Sequence, residues 1–256
     1  MAVIMAVIPL HLQLFQETLA WQPTPEQQMR FQQLYAAVVA GNQQLNLTRL
    51  TAPEEFWEKH LWDSLRGLKP WLAAESALHP QDGLGQLGLQ VVDIGTGGGF
   101  PGIPAAMVLP QAKVMLLDST RKKVNFLEQL VASLGLAGVQ TLTGRAEVVG
   151  QQVGQRDRYD LALIRAVGSA TVCAEYSLPL LKQGGTAVLY RGQWSAAEEA
   201  ALVQAAQQLG GQLEQVDAFT TPLTQGTRHC IYLGKVAATP AKFPRPVGIP
   251  VQKPLA

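Results

Sequence analysis

From residue 89 onward, short apolar runs alternate with longer stretches in which apolar residues recur every three or four positions. The runs 89–94, 113–118, 139–143, 159–165, 185–191, 214–219 and 229–236 predict strands; 102–109, 120–135, 145–153, 169–182 and 195–209 predict helices between them. Such alternation specifies an α/β, Rossmann-like fold, a mostly parallel sheet with helices on both faces. Only Thr220 to Arg228 joins the last two runs, shorter than the roughly dozen residues of a parallel crossover. They are expected to pair as an antiparallel hairpin, giving seven strands with one reversed at the end.

The pattern before residue 89 is helical. Thr24-Pro25-Glu26-Gln27 reads as an N-cap, a proline at the first helical position and a glutamine closing a capping box. Phe31, Leu34, Tyr35, Val38 and Val39 then form one apolar face, and Gly41-Asn42 is expected to end that helix. Pro53 starts another, carrying Phe56, Trp57, His60, Leu61 and Leu65 at helical spacing, and the glycine-rich stretch 83–88 is a loop into the sheet domain. Three units are expected: helices packed on the core over 1–88, the sheet domain over 89–236, and a tail over 237–256. The tail has five prolines and three basic residues between Thr239 and Pro254. It predicts an extended segment, neither helix nor inner strand, that wraps the surface, touches a polyanion or stays disordered.

The most informative chemistry lies where the first strand opens into glycines: Asp93-Ile94-Gly95-Thr96-Gly97-Gly98-Gly99-Phe100-Pro101-Gly102. Gly95, Gly97 and Gly99 allow left-handed backbone and leave no side chain between backbone and ligand. The second strand ends in another acid, Asp118, placed to accept both hydroxyls of a ribose. This predicts a nucleoside-type cofactor. The dinucleotide pattern G-x-G-x-x-G fits only the frame from Gly97, and alone it is weak. Asp93 discriminates better: it would repel a pyrophosphate but favours the two cationic groups of S-adenosylmethionine. A turn cap is the alternative role for Asp93, and a solvated strand end for Asp118.

Other candidates follow at the carboxyl ends of later strands, where open α/β sheets bind ligands. Ser119 or Thr120 is a natural N-cap for the next helix, whose first turn holds Arg121, Lys122 and Lys123. Three cations there oppose the helix dipole. They are candidate contacts for RNA phosphates, or a solvated turn. Gly144-Arg145-Ala146-Glu147 would flank an adenine, unless Glu147 serves only its own helix N-terminus. Arg165 closes the fourth strand and can pin a carboxylate, a phosphate or the O6 edge of a guanine, or bridge to Asp93 or Asp118. Among four scattered histidines, His60 is the candidate for substrate contact, because Asp63 and Arg66 share its helix side. No metal motif, Walker loop or Asp/Asn-Pro-Pro-aromatic motif is present, so no metal and no exocyclic-amine methylation are expected.

Composition narrows the classes further. A net charge of +1 gives no global pull on nucleic acid, so any RNA-binding cations must be local. Cys173 and Cys230 lie far apart with no CxxC, which reads as buried free thiols in a reducing cytosol. The apolar start Met1–Leu10 lacks a basic n-region, and it is shorter than the ~20 residues of a membrane span. A cytoplasmic monomer without membrane or DNA partners is expected. Two further function classes stay open: the same fold methylating a small molecule or protein, and a nicotinamide-dependent oxidoreductase. Asp93 and the terminal hairpin speak against the second.

The chain closely resembles one family, the bacterial small-subunit ribosomal RNA methyltransferase G, also called glucose-inhibited division protein B. The likeness rests on Asn46-Leu47-Thr48, Lys59-His60, Asp63-Ser64-Leu65, the glycine turn extended through Ile103-Pro104, Arg165-Ala166 and the closing Lys253-Pro254-Leu255. It implies a class I S-adenosylmethionine-dependent methyltransferase fold and methylation of N7 of one guanine in the decoding-region loop of 16S rRNA, within the small ribosomal subunit. By resemblance Gly95, Phe100, Asp118, Ser119, Thr120, Ala146, Glu147 and Arg165 line the cofactor site, with no dedicated general base. Phe100 departs from the family's frequent Leu, and the loop between Glu147 and Arg165 looks longer.

Overall fold

The computed structural model describes residues 7–72 and 88–255. Residues 83–87 of the expected glycine-rich loop lie outside them. The seven strands are β1 (Gln90–Ile94), β2 (Lys113–Asp118), β3 (Val139–Thr143), β4 (Tyr159–Arg165), β5 (Leu181–Arg191), β6 (Gly211–Thr220) and β7 (Thr227–Lys235). They form one sheet in the order β3-β2-β1-β4-β5-β7-β6. All pairs from β3 to β5 are parallel, and β7 runs antiparallel to both neighbours. The hairpin thus folds back so that its second strand, not its first, joins the parallel set.

Alternation along each strand builds two apolar layers. Val91, Leu116, Leu161, Leu163, Val188 and Tyr190 face one way, against α5 (Gly102–Val108), α6 (Arg121–Ser133) and the N-terminal helices α1 (Leu12–Leu19) and α2 (Pro25–Leu45). Val92, Ile94, Leu117, Ala162, Ile164 and Leu189 face the other way. They pack against α7 (Ala146–Val149), α8 (Ala170–Ser177) and α9 (Ala196–Gln208). The N-terminal helices are built into the first layer: Phe31, Phe56, Trp57 and Trp62 are buried in the same cluster as Val91 and Tyr232. Polar ties reinforce the union. Tyr190 and Tyr232 donate to the carbonyls of Ser64 and Gly67, and Arg66 pairs with Asp217 at 2.7 Å.

The capping box at Thr24 forms as the sequence dictates. The helix does not stop at Gly41-Asn42, however; it runs to Leu45 and ends on left-handed Asn46. Gly41 serves packing instead, because a Cβ there would lie 2.3 Å from the Phe126 ring on α6. From Pro53 the helix is α over Pro53–Phe56 (α3), π over Trp57–Trp62, and α again over Asp63–Arg66 (α4). Single π turns of this kind frequently occur at functional sites. The stretch expected as a helix over 169–182 ends at Ser177. Pro179, which lacks an N–H, sits in the short 3-10 turn Leu178–Leu180, and β5 begins at once.

The tail is extended and wraps the second layer, with one correction. Ile249–Gln252 forms a single helical turn (α10), tolerated because Pro250 lies in the first turn, where no intrahelical donor is needed. Arg245 is engaged within the protein. It grips Glu175, which is fully buried, through Nε and Nη2.

Candidate functional site

Strand order places β1 and β4 side by side at the point where the sheet changes direction, and open sheets bind ligands there. After β1 the chain turns on Gly95, Gly97 and Gly99, with φ of 70°, 59° and 97°. The turn is held to the neighbouring strand by Gly95 and Thr96 N–H groups, both donating to the Leu117 carbonyl. A Cβ on Gly95 would come within 2.6 Å of Val167, so only glycine lets β1 and the β4 loop meet this closely.

Asp118 binds the turn from the other side. Its Oδ2 accepts from Gly97 N at 3.0 Å and its Oδ1 from Thr120 N at 2.8 Å. Each carboxylate oxygen keeps a second lone pair. The group is therefore fixed in place yet still able to accept. Thr120 occupies the N-cap position of α6, but neither it nor Ser119 caps with its side chain; the Asp118 carboxylate takes the Thr120 N–H instead. Arg121, Lys122 and Lys123 follow, the first two exposed, the third half-buried, without an ion pair.

A cavity of ≈ 180 Å³ opens beside these groups, lined by Gly95, Asp118, Ser119, Ala146, Glu147, Tyr176 and others. Glu147 is buried. Its Oε1 accepts from Arg145, Tyr176 and the Gly248 N–H, while its Oε2 has no partner. Burial alone would raise its pKa; the hydrogen bonds outweigh this and hold it below the usual carboxylate value. Glu147 thus does more than serve its own short helix.

Asp93 sits behind the turn with no exposure. Its Oδ2 accepts from Thr96 Oγ1 and Gly102 N, at 2.6 and 2.7 Å, and its Oδ1 has no partner. Burial lifts its pKa to about 6, against the pull of these bonds and of Arg165. Asp93 thus takes its alternative role of turn cap, with one oxygen edge left without a partner among the described residues. Phe100 is likewise turned inward. Its ring stacks on His60 at 4.5 Å and meets Phe56 edge-on, so its side chain joins the glycine turn to the N-terminal helices.

His60 is buried, and both its ring nitrogens are occupied. Arg165 Nη2, which can only donate, lies 3.3 Å from Nδ1; Nε2 therefore carries the proton and donates to Thr48 Oγ1 at 2.7 Å. Burial and the Arg165 charge push its pKa down to about 3, so the ring is neutral at physiological pH. Expected as a substrate contact, His60 is engaged here as a brace within the protein, and its neighbour Arg66 turns to Asp217.

Arg165 bridges neither Asp93 nor Asp118. Its partner is Asp63, at 2.9 Å, with the Lys59 carbonyl at the same distance. The π turn supplies the Lys59 carbonyl and the His60 ring nitrogen, and α4, which follows it directly, supplies Asp63. Arg165 also lines a second cavity of ≈ 290 Å³, with Asp63, Tyr190, Arg191 and Arg228. Ala166, held at φ 58°, lines the second cavity, and the next residue, Val167, lines the first. A non-glycine residue in that region is strained, and such strain clusters at functional sites. Arg191 and Arg228 escaped the sequence reading because they come from β5 and β7, remote in sequence. Their one signal is position, since each lies at the cleft end of its strand.

Cys173 and Cys230 are buried and free, and burial raises both thiols, Cys173 to about 11. Among the described residues no helix is long and apolar enough to cross a membrane. None of them form a metal-binding group of His, Cys, Asp or Glu.

Comparison with known proteins converges on one family. Residues 27–231 match the family described as rRNA small subunit methyltransferase G. Two cyanobacterial proteins called ribosomal RNA small subunit methyltransferase G are similar over nearly the whole chain. That of Nostoc sp. is 56% identical over 97% of this chain and 99% of its own length. That of Synechococcus elongatus is 57% identical over 93% and 94%. In fold, the chain resembles a SAM-dependent methyltransferase from Aquifex aeolicus (TM-score 0.50, 18% identity, 75% of this chain and 97% of that one). The chain belongs to the rRNA small subunit methyltransferase G family.

Proposed function

We propose that this protein transfers the methyl group of S-adenosylmethionine to N7 of one guanine in the decoding-region loop of 16S rRNA. The observation that carries the reading is the pair of cavities lined by consecutive residues, Val167 in the first and Ala166 in the second. One is lined by strand-end acids and glycine backbone, the other by arginines.

The first cavity suits the cofactor. Asp118 accepts the ribose hydroxyls through its remaining lone pairs, and Gly95 leaves room for the ligand backbone side. Ala146 and Glu147 flank the adenine. Among the described residues, two buried carboxylate oxygens, Asp93 Oδ1 and Glu147 Oε2, have no hydrogen-bond donor; Glu147 lines this cavity, and S-adenosylmethionine brings an exocyclic amine. When bound, it supplies a methyl group on a sulfonium, ready for in-line attack.

Guanine N7 has an in-plane lone pair and no proton to lose, so the chain needs to orient rather than deprotonate it. His60, with both ring nitrogens engaged, has a structural role in this scheme. Arg165, fixed on three acceptors, is suited to hold a phosphate or the O6 edge near the methyl group. Its charge opposes a cationic product, which favours a positioning role. The cations Arg121, Lys122 and Lys123 extend the basic rim toward RNA phosphates.

The test is incubation with S-adenosylmethionine and small subunits from cells lacking the modification, then mapping of 7-methylguanine by reduction and strand scission. Deproteinised RNA runs alongside. A single new cleavage in the decoding-region loop is expected. No cleavage with cofactor binding intact would move the acceptor to another class of molecule.

A further inference from the structure

The last residues of the chain follow the sheet domain and are firmly fastened to it. Phe243 is buried in the second layer. Arg156 donates to the carbonyls of Phe243 and Thr239, at 2.7 and 2.6 Å, and Gln151 to that of Pro244. Gly150 leaves space for Pro244; a Cβ there would sit 2.8 Å from its ring. The Arg245 backbone N–H and guanidinium both bind buried Glu175.

These anchors bring Gly248 and Val251 to the acid-lined cavity. The Gly248 N–H donates to Glu147 Oε1 at 3.1 Å. Val251 lines the cavity with Ala146, Glu147 and Tyr176, although 55% of its own surface is exposed. A half-open apolar side chain at a cavity rim is suited to cover the flat face of a ligand ring. The ring nearest this rim is the purine, because Val251 stands on the Ala146-Glu147 side, beyond the ribose acid Asp118.

We propose that the C-terminal tail is a wall of the cofactor site: Val251 covers the adenine, and the Gly248 N–H positions Glu147. The inference rests on the placement of S-adenosylmethionine in this cavity. The tail and cofactor are then coupled, each stabilising the other's bound position by the same factor. A chain ending at Val247 keeps Phe243 and Arg245 but removes the wall.

Titration of S-adenosylmethionine by calorimetry is compared for the full chain, the chain ending at Val247, Val251→Ala and Asp118→Ala. Loss of one apolar contact and one hydrogen bond should weaken binding by about five- to tenfold in the shortened chain, and about two- to threefold in Val251→Ala. Hydrogen exchange on the intact protein gives an arm independent of folding in the variants: saturating cofactor should slow the Gln252 and Lys253 amides, which bond to Gly248 and Ile249. Full affinity in both tail variants, with weakened binding in Asp118→Ala, would overturn the tail wall and leave the cofactor placement standing. Full affinity in Asp118→Ala would remove the placement and the wall with it.

Discussion

Arg165 and Asp63 pair at 2.9 Å across 102 positions of sequence, each about 15% exposed. The pair fixes the end of β4 to the start of α4, directly after the π turn, and Arg165 and Asp63 both line the second cavity. Removing one member of a buried pair strands the other charge. Asp63→Ala should therefore cost about 2–3 kcal/mol, less than a fully buried pair because both groups touch solvent. Urea unfolding of the two proteins checks it; equal midpoints would show that the pair contributes nothing.

Asp118 is expected to be the largest single contributor to cofactor affinity. Its loss removes charge-assisted hydrogen bonds worth roughly 1.5–3 kcal/mol, a weakening of about ten- to a hundredfold in Kd. Asp118→Asn should lose less, since it keeps an acceptor for one backbone N–H. Calorimetric Kd values for the two variants provide the measurement.

His60 gives a pH signature. Its pKa falls from the ordinary 6.5 to about 3 in the folded chain. The folded state therefore prefers the neutral ring, and the stability from this preference is complete above pH 6.5. It is lost as pH falls through 6.5 toward 3, with a limiting slope of about 1.4 kcal/mol per pH unit. The stability gap between the protein and His60→Gln, measured at pH 7.5 and 5.0, should shrink at the lower pH. A gap independent of pH would mean the ring is not held neutral.

Asp93 has the opposite character, because burial raises its pKa to about 6. The folded state binds the proton more tightly than the unfolded chain. Its contribution to stability is greatest at low pH and is lost as pH rises from the unfolded value through about 6. Under the proposed cofactor placement the ionised carboxylate behind the turn favours the cationic ligand, so S-adenosylmethionine affinity should rise over the same interval. Opposite slopes between pH 5 and 7.5, both flattened in Asp93→Asn, are the expected result; parallel slopes would refute it.

Gly41 separates propensity from packing. In an exposed helix Gly→Ala gains about 1 kcal/mol. Here the new methyl group would meet the Phe126 ring at 2.3 Å, and overpacking costs about 1–3 kcal/mol. Gly41→Ala should destabilise the protein but stabilise it in a Phe126→Ala background. The sign in the double variant is read from thermal or urea unfolding.

The sequence by itself determined the sheet, its terminal hairpin and the residues at its ligand-binding edge. Period-two and period-3.6 patterns are local, and a glycine turn between two acid-tipped strands requires no distant partner to be recognised. It likewise marked Asp118 and Glu147, because strand ends are visible in the chain. What tertiary structure alone decided was which side chains remain free. Gly41 looked like a helix stop until the position of Phe126 made it a contact. His60 and Arg165 both looked available, and their engagement with Thr48 and Asp63 follows from a π turn with no sequence signature. Arg228 and Val251 were invisible as site residues, since β7 and the tail reach the cleft only when the sheet is assembled. Local pattern specifies where the backbone runs; burial and partner choice are settled by groups a hundred residues apart, and only folding brings those together.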